Sequence, residues 1–241
     1  MGTEPLSAAD RKALRDSLRL SVAFSDDDLA AIEPHARVRQ LTQDEVFLRC
    51  GDRAIECGIV ISGLMREYFP LEDGREVTRG FAGAAGAVGS LSDLLSQQPA
   101  RSQVSAERPT RLVVMPWAKV EALIETHPRW TQYYALTVER LYLAKAQREY
   151  ELLALDAEAR YERFRALYAQ LEPQIALRHV ASYVGITPEH LSRLRRRSAT
   201  ASAGSPARSR SGSRPSARRS RPATATPARR RARRTAPASR R

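Results

Sequence analysis

IALRHVASYVGITPEHLSRLRR, residues 175–196, carries the most constrained pattern in the chain. Two short helices that cross closely need a small residue at the crossing, and Ala181 stands there. The turn between them needs a residue that accepts a positive φ, and Gly185 supplies it. Apolar side chains must surround the crossing, as Val180, Val184, Ile186, Leu191 and Leu194 do. Thr187 is placed to cap the second helix and Pro188 to open it. The spacing predicts a helix-turn-helix.

The second helix would turn Thr187, Glu189, His190, Ser192, Arg193, Arg195 and Arg196 outward, with Leu191 and Leu194 inward. Such a helix enters the major groove with its N-terminal residues at base edges. Arg193 suits a bidentate pair to guanine, and Glu189 suits the cytosine amino group. Arg195, Arg196 and Arg197 suit phosphate contacts. The plainer alternative is a helical hairpin with a solvated basic face.

Upstream, residues 128–152 read as one long helix opened by Pro128. Trp130, Tyr134, Val138 and Leu141 form one apolar line, and Leu136, Leu143 and Tyr150 a second. Two lines imply a partner on each side: the protein's own sheet, and a twin helix in a homodimer met by Tyr134, Val138 and Leu141. A single buried helix is the alternative. Asp156 starts a further helix whose face is marked by Tyr161, Phe164, Leu167 and Leu171, with Pro173 just past its end.

Residues 36–117 change character. Short runs rich in Val, Ile, Phe and Tyr alternate with turn signals. Val46-Phe47-Leu48, Gly58-Ile59-Val60-Ile61, residues 64–69, residues 76–81 and residues 111–115 read as strands, with a break at Ser62-Gly63 and a hairpin turn at Glu72-Asp73-Gly74. Strands at such spacing predict an antiparallel sandwich or barrel. Ahead of them, residues 6–33 read as helical, with Leu14, Leu18, Leu29 and Ile32 inward and Ser25 followed by three Asp at a helix start.

This order of parts resembles the cyclic-AMP receptor protein/fumarate-nitrate regulator (Crp/Fnr) superfamily of bacterial transcription regulators. Ile61-Ser62-Gly63-Leu64-Met65-Arg66, Glu72-Asp73-Gly74-Arg75-Glu76, His127-Pro128 and residues 181–195 carry the resemblance, which spans residues 20–197. It implies an α+β architecture. An N-terminal helical segment, 1–35, leads to a cyclic-nucleotide-binding-like β-roll sensor, 36–127. A long dimerisation helix, 128–152, joins it to a helix-turn-helix DNA-binding domain, 153–197, and a disordered basic tail, 198–241. It implies a cytoplasmic homodimer that reads a pseudo-palindromic operator in double-stranded DNA, with RNA polymerase and a small-molecule effector of unspecified identity as further partners. The family reads bases with a Glu and an Arg four residues later, matched by Glu189 and Arg193. Pro188 replaces the Arg that some members carry before that Glu, so the operator sequence does not carry over.

In members that bind a cyclic nucleotide, a Gly-Glu pair contacts the ribose and an Arg-Ser pair about a dozen residues later holds the phosphate. Here Gly89-Ser90 and Arg101-Ser102 form the corresponding effector pocket. Ser90 lacks the acid's charge, so a cyclic nucleotide is not the favoured effector, and another small molecule or none is the alternative. Cys50 and Cys57 do not make the cysteine cluster of the redox-sensing branch and read as ordinary thiols. His35 reads as a surface residue rather than a haem ligand.

Composition limits the rest. Residues 198–241 contain only Ser, Ala, Thr, Gly, Pro and Arg, and hold 13 of the chain's 40 basic residues. The remaining 27 basic residues balance all 27 acidic ones, so the net charge of +13 belongs to the tail and not to the folded body. The tail reads as disordered. It is either a basic arm for DNA or a translated wrong frame, the latter favoured by its GC-rich codon types. No signal peptide, myristoylation site, membrane span or metal-ligand set is read, and no catalytic motif suggests an enzyme. Two other function classes stay open. One is a ligand- or partner-binding sensor module without specific DNA readout, and the other a non-specific nucleic-acid binder driven by the Arg tail.

Overall fold

The computed structural model describes residues 3–203. Residues 198–203 continue the last helix, so the boundary expected at residue 197 falls inside an element. The rest of the arginine-rich segment, with the reading of it as disordered, lies outside the described residues.

The N-terminal helical segment contains a short strand that its sequence did not announce, β1 (Thr3–Glu4), ahead of α1 (Ala8–Arg19) and α2 (Asp26–Ala30). Both helices open with a capping box, Ser7 with Asp10 and Ser25 with Asp28. Their apolar face is buried: Leu14, Leu18, Leu29 and Ile32 are at most 1 % exposed. Asp10 also meets Arg111 of the sheet through two contacts of 2.9 Å, which fastens α1 to it. The Arg111 guanidinium holds the Asp10 carboxyl well below the usual carboxylate range.

Next come β2 (Arg37–Leu41), β3 (Val46–Leu48), β4 (Glu56–Pro70), β5 (Glu76–Ala82), β6 (Ala87–Val88) and β7 (Gln103–Pro116). All pair antiparallel in the order β1-β2-β7-β4-β5, with β3 on β7 and β6 on β4. Two sequence readings are corrected. Ser62-Gly63 does not break the strand, and residues 111–115 are only the end of a longer one. β4 passes through Ser62-Gly63 as a bulge, where its register on β7 shifts. Gly63 adopts φ +96°, and a Cβ there would lie 2.3 Å from the Pro109 carbonyl oxygen. The Thr110 hydroxyl accepts from the Leu64 N–H at 2.9 Å and donates to the Arg108 carbonyl at 2.7 Å, replacing ladder bonds the bulge removes. Before the bulge β4 pairs with β6; after it, β4 pairs with β5. Two long bent strands thereby feed both halves of the roll.

The span read as strands also contains a short helix, α3 (Leu91–Ser96), and Pro116 leads into α4 (Trp117–Thr126). α5 (Pro128–Ala154), α6 (Ala157–Leu167), α7 (Leu177–Val184) and α8 (Pro188–Ala203) complete the described chain. Trp130 anchors the start of α5 in the first core, beside Phe24, with its indole N–H on the Asp28 carbonyl at 3.0 Å. A second core gathers Tyr161, Phe164, Val180, Val184, Leu191 and Leu194 of the helical unit with Leu64 of β4. Leu167, expected in that face, is 66 % exposed. α6 ends there, and the turn brings Tyr168 inward against Phe81 instead. Among the described residues no helix is long and apolar enough to cross a membrane.

Gly63→Ala combines a disfavoured φ with a clash against a carbonyl and should cost about 3 kcal/mol or more. Gly74→Ala, at φ +82° with nothing within 4 Å of the added Cβ, should cost only about 1 kcal/mol. Urea unfolding of the two variants measures the difference.

Candidate nucleic-acid interface and effector pocket

The helix-turn-helix is built by local geometry. α7 ends on Gly185 at φ +78°, whose N–H reaches the Ala181 carbonyl at 2.9 Å, followed by Ile186 N–H on the same oxygen at 3.0 Å. Ala181 is 1 % exposed at the crossing of α7 and α8. The Thr187 hydroxyl accepts from the His190 N–H at 3.2 Å and caps α8. Leu191 and Leu194 point into the second core. Glu189 and Arg193 are exposed one turn apart, while His190 and Ser192 are half-buried. Its own N–H, the Thr187 hydroxyl and the Arg193 charge hold the Glu189 carboxyl below its ordinary range, so it is ionised at neutral pH. Arg196 is exposed.

Arg195 departs from its sequence reading as a phosphate contact. Its guanidinium turns inward, to the Tyr161 hydroxyl at 2.9 Å and Glu172 at 2.8 Å. Those partners lie 34 and 23 residues away, where local spacing gave no sign of them. Arg195 therefore braces α8 against α6. Two further arginines receive the carbonyl end of α7: Arg148 of α5 at Tyr183, and Arg160 of α6 at Val184, the latter at 2.8 Å. Cations at a helix C-terminus complement its dipole.

The junction between sheet and helix-turn-helix holds polar residues that sequence reading missed. Glu107 of β7 is 5 % exposed and Arg66 of β4 is 4 % exposed. Glu107 accepts from His179 Nδ1 at 2.6 Å and from the Ala176 N–H at 2.9 Å, just ahead of α7. Arg66 Nε lies 3.8 Å from Glu107, Nη2 lies 2.5 Å from Glu76, and the guanidinium covers the Tyr68 ring. Burial pushes the Glu107 carboxyl up, but His179, the Ala176 N–H and Arg66 outweigh it and leave it below its ordinary value. Beside this cluster the Ser182 hydroxyl accepts from the Thr78 N–H at 2.9 Å and donates to the Glu76 carbonyl at 2.5 Å. Tyr168 accepts from the Phe81 N–H at 3.4 Å. β5 ends the sheet, so these hydroxyls satisfy its open edge. The motif Arg66 in residues 61–66 was the one available hint, because a long cation inside a strand invites a buried partner.

On α5, Tyr134 and Leu136 are half-buried against the first core. Beyond them the apolar line emerges: Val138 is 37 %, Leu141 40 % and Leu143 58 % exposed. Tyr150 and Leu153 continue the exposed apolar surface towards the end of the helix.

In the effector region, Gly89 takes φ +113° and places Ser90 as the first cap of α3. Ser90 is 2 % exposed, with its hydroxyl 3.2 Å from that of Ser92 and 3.5 Å from Arg79 Nη1. Arg79 in turn pairs with Glu67 at 2.5 Å. Ser102 is fully buried, whereas Arg101 is exposed. Asp93 of α3, which sequence reading passed over, takes the Ser102 hydroxyl at 2.9 Å and faces its N–H at 3.5 Å. Cys50 and Cys57 are free thiols, and burial pushes Cys57 up to about 12. His35 is exposed.

Residues 38–127 match the family model of the cyclic nucleotide-binding domain. No curated protein matches the sequence. Among solved structures, FixK2 from Bradyrhizobium japonicum is 20 % identical with a TM-score of 0.61, over 69 % of this chain and 86 % of that one. The c-di-GMP-responsive global regulator CLP of Xanthomonas campestris is 18 % identical with a TM-score of 0.61, over 74 % of this chain and 93 % of that one. A protein described as a regulator of the crp/fnr family, from Eubacterium rectale, is 15 % identical with a TM-score of 0.58, over 74 % and 85 %.

Glu107→Gln should loosen the helix-turn-helix from the sheet and lower stability at pH 7 by about 3 kcal/mol. Because the Glu107 carboxyl is lowered in the fold, its contribution is full above the ordinary Glu value of about 4.3 and is lost as pH falls below it. Unfolding measured from pH 7 to pH 3 should therefore show the gap between protein and variant closing on the acid side.

Proposed function

We propose, for a chain that carries the fold of the Crp/Fnr regulators with a cyclic nucleotide-binding domain at residues 38–127, that it is a sequence-specific DNA-binding transcription regulator acting as a homodimer. The observation that supports this most is the exposed pair Glu189 and Arg193, one turn apart on the first two turns of a capped and braced α8. Rigid presentation of a carboxylate and a guanidinium at helical spacing suits base-edge readout, Arg193 to guanine and Glu189 to cytosine. Thr187, His190, Ser192 and Arg196 flank that pair and serve as further groove and phosphate contacts. Arg195 serves indirectly, by holding α8 in place.

The exposed line Val138 and Leu141 on α5 supports a twin helix as its cover, with Tyr134 at the inner margin. A two-fold pair of α8 helices would read half-sites about one helical turn apart. The sensor domain would bias the pair between arrangements that do and do not meet that spacing.

Selection of bound sequences from random duplex DNA should return a palindrome with the full chain. Arg193→Ala should lower affinity for it by about 1–3 kcal/mol and relax one position of the motif. Binding that returns no motif and ignores this substitution would leave the arginine segment as the source of affinity and sink the proposal. Leu141→Glu should give a monomer by sedimentation velocity and abolish palindrome binding together with the dimer.

A further inference from the structure

We infer that Asp93 is an internal carboxylate seated on the donors a phosphate would need, and that this sensor domain therefore rejects cyclic nucleotides. The inference rests on the domain match and on the pocket, not on the DNA-reading proposal. A buried anion needs main-chain N–H and hydroxyl donors turned to one point. The turn into β7 offers such a pair, and it is already engaged: the Ser102 hydroxyl lies 2.9 Å and its N–H 3.5 Å from the same oxygen, Asp93 Oδ2. Ser102 is 0 % and Asp93 4 % exposed, so the contact is sealed and not a surface encounter. A second anion brought to these donors would meet a buried carboxylate of like charge at contact distance, which opposes both.

The neighbouring groups do not offset that repulsion. Arg79, the cation nearest Ser90, is engaged by Glu67 at 2.5 Å. Arg101 is exposed and, among the described residues, makes no ion pair that would draw it into the buried site. Ser90 offers a hydroxyl already near Ser92 and Arg79 in place of the acid that would accept from a ribose. Ser90, Arg79 and Ser102, three groups that a cyclic nucleotide would use, are thus engaged within the chain, and the partner of Ser102 is a carboxylate. The residues present do not fit a cyclic nucleotide.

The test uses the full chain, Asp93→Ala, Asp93→Asn and the double variant Asp93→Ala with Ser102→Ala. Calorimetric titration with cyclic AMP and cyclic GMP should show no saturable binding to the unaltered protein up to about 1 mM. Thermal melts with inorganic phosphate should show a phosphate-dependent rise in Tm for Asp93→Ala or Asp93→Asn beyond that of the unaltered protein. The double variant should lose that gain. Phosphate bound by the arginine-rich segment is common to all four proteins and cancels in the comparison. Micromolar binding of either cyclic nucleotide to the unaltered protein would overturn the inference. So would folded Asp93 variants that gain nothing from phosphate. Should the variants fail to fold, the titration of the unaltered protein decides alone. Loss of DNA binding in any of these proteins would bear on the regulator proposal and leave this one untouched.

Discussion

Glu107 sits on the central strand β7, where water cannot reach it, and a carboxylate there is tolerable only with donors on every open side. His179 and the Ala176 N–H, from the start of α7, donate to it, while the Arg66 guanidinium of the neighbouring strand contributes charge at 3.8 Å and no hydrogen bond. The helix-turn-helix unit is therefore not merely packed on the sheet by apolar contact. It completes the coordination of a charge that the sheet cannot neutralise unaided, and hydrogen bonds of 2.6 and 2.9 Å fix its angle more sharply than Leu64 and Phe81 would. The second core, the capped edge of β5 and the braces from Arg148 and Arg160 all assume that angle.

The same strands reach the effector region without leaving the neighbourhood. Side chains of successive strand residues point to opposite faces. Arg66 faces the Glu107 cluster, and the next residue, Glu67, pairs with Arg79 near Ser90. On β5, the Thr78 hydroxyl meets Arg66 on the Glu107 side, and the next residue, Arg79, meets Glu67 and Ser90 on the other. The Ser90 region and the helix-turn-helix thus lie against the two faces of one stretch of two strands.

What was legible in the sequence is what local rules govern. The positive φ of Gly185, the small Ala181, the cap by Thr187 and the capping boxes at Ser7 and Ser25 are decided within four or five residues, and each appears where the spacing put it. The hairpin at Glu72-Asp73-Gly74 is another such case. The roll was legible in class but not in construction. Ser62-Gly63 reads as a stop by itself and is a bulge because the Thr110 hydroxyl, 46 residues away, accepts the Leu64 N–H that the ladder leaves over. Asp93, Glu107 and Arg195 carry no local signature at all. Each is an ordinary polar residue until a distant partner defines it, Ser102, His179 and Glu172 in turn. The arrangement of the site therefore came from tertiary contacts, while its reading helix came from the sequence.

The hydroxyl of Ser182 engages the open edge of β5 at the Thr78 N–H and the Glu76 carbonyl, and this bears on any motion of α7. Were α7 to lift away, β5 would present bare amides and carbonyls beside exposed Val77, a template for strand addition by another chain. The contact that holds α7 on the sheet is in this sense also a guard against self-association along β5.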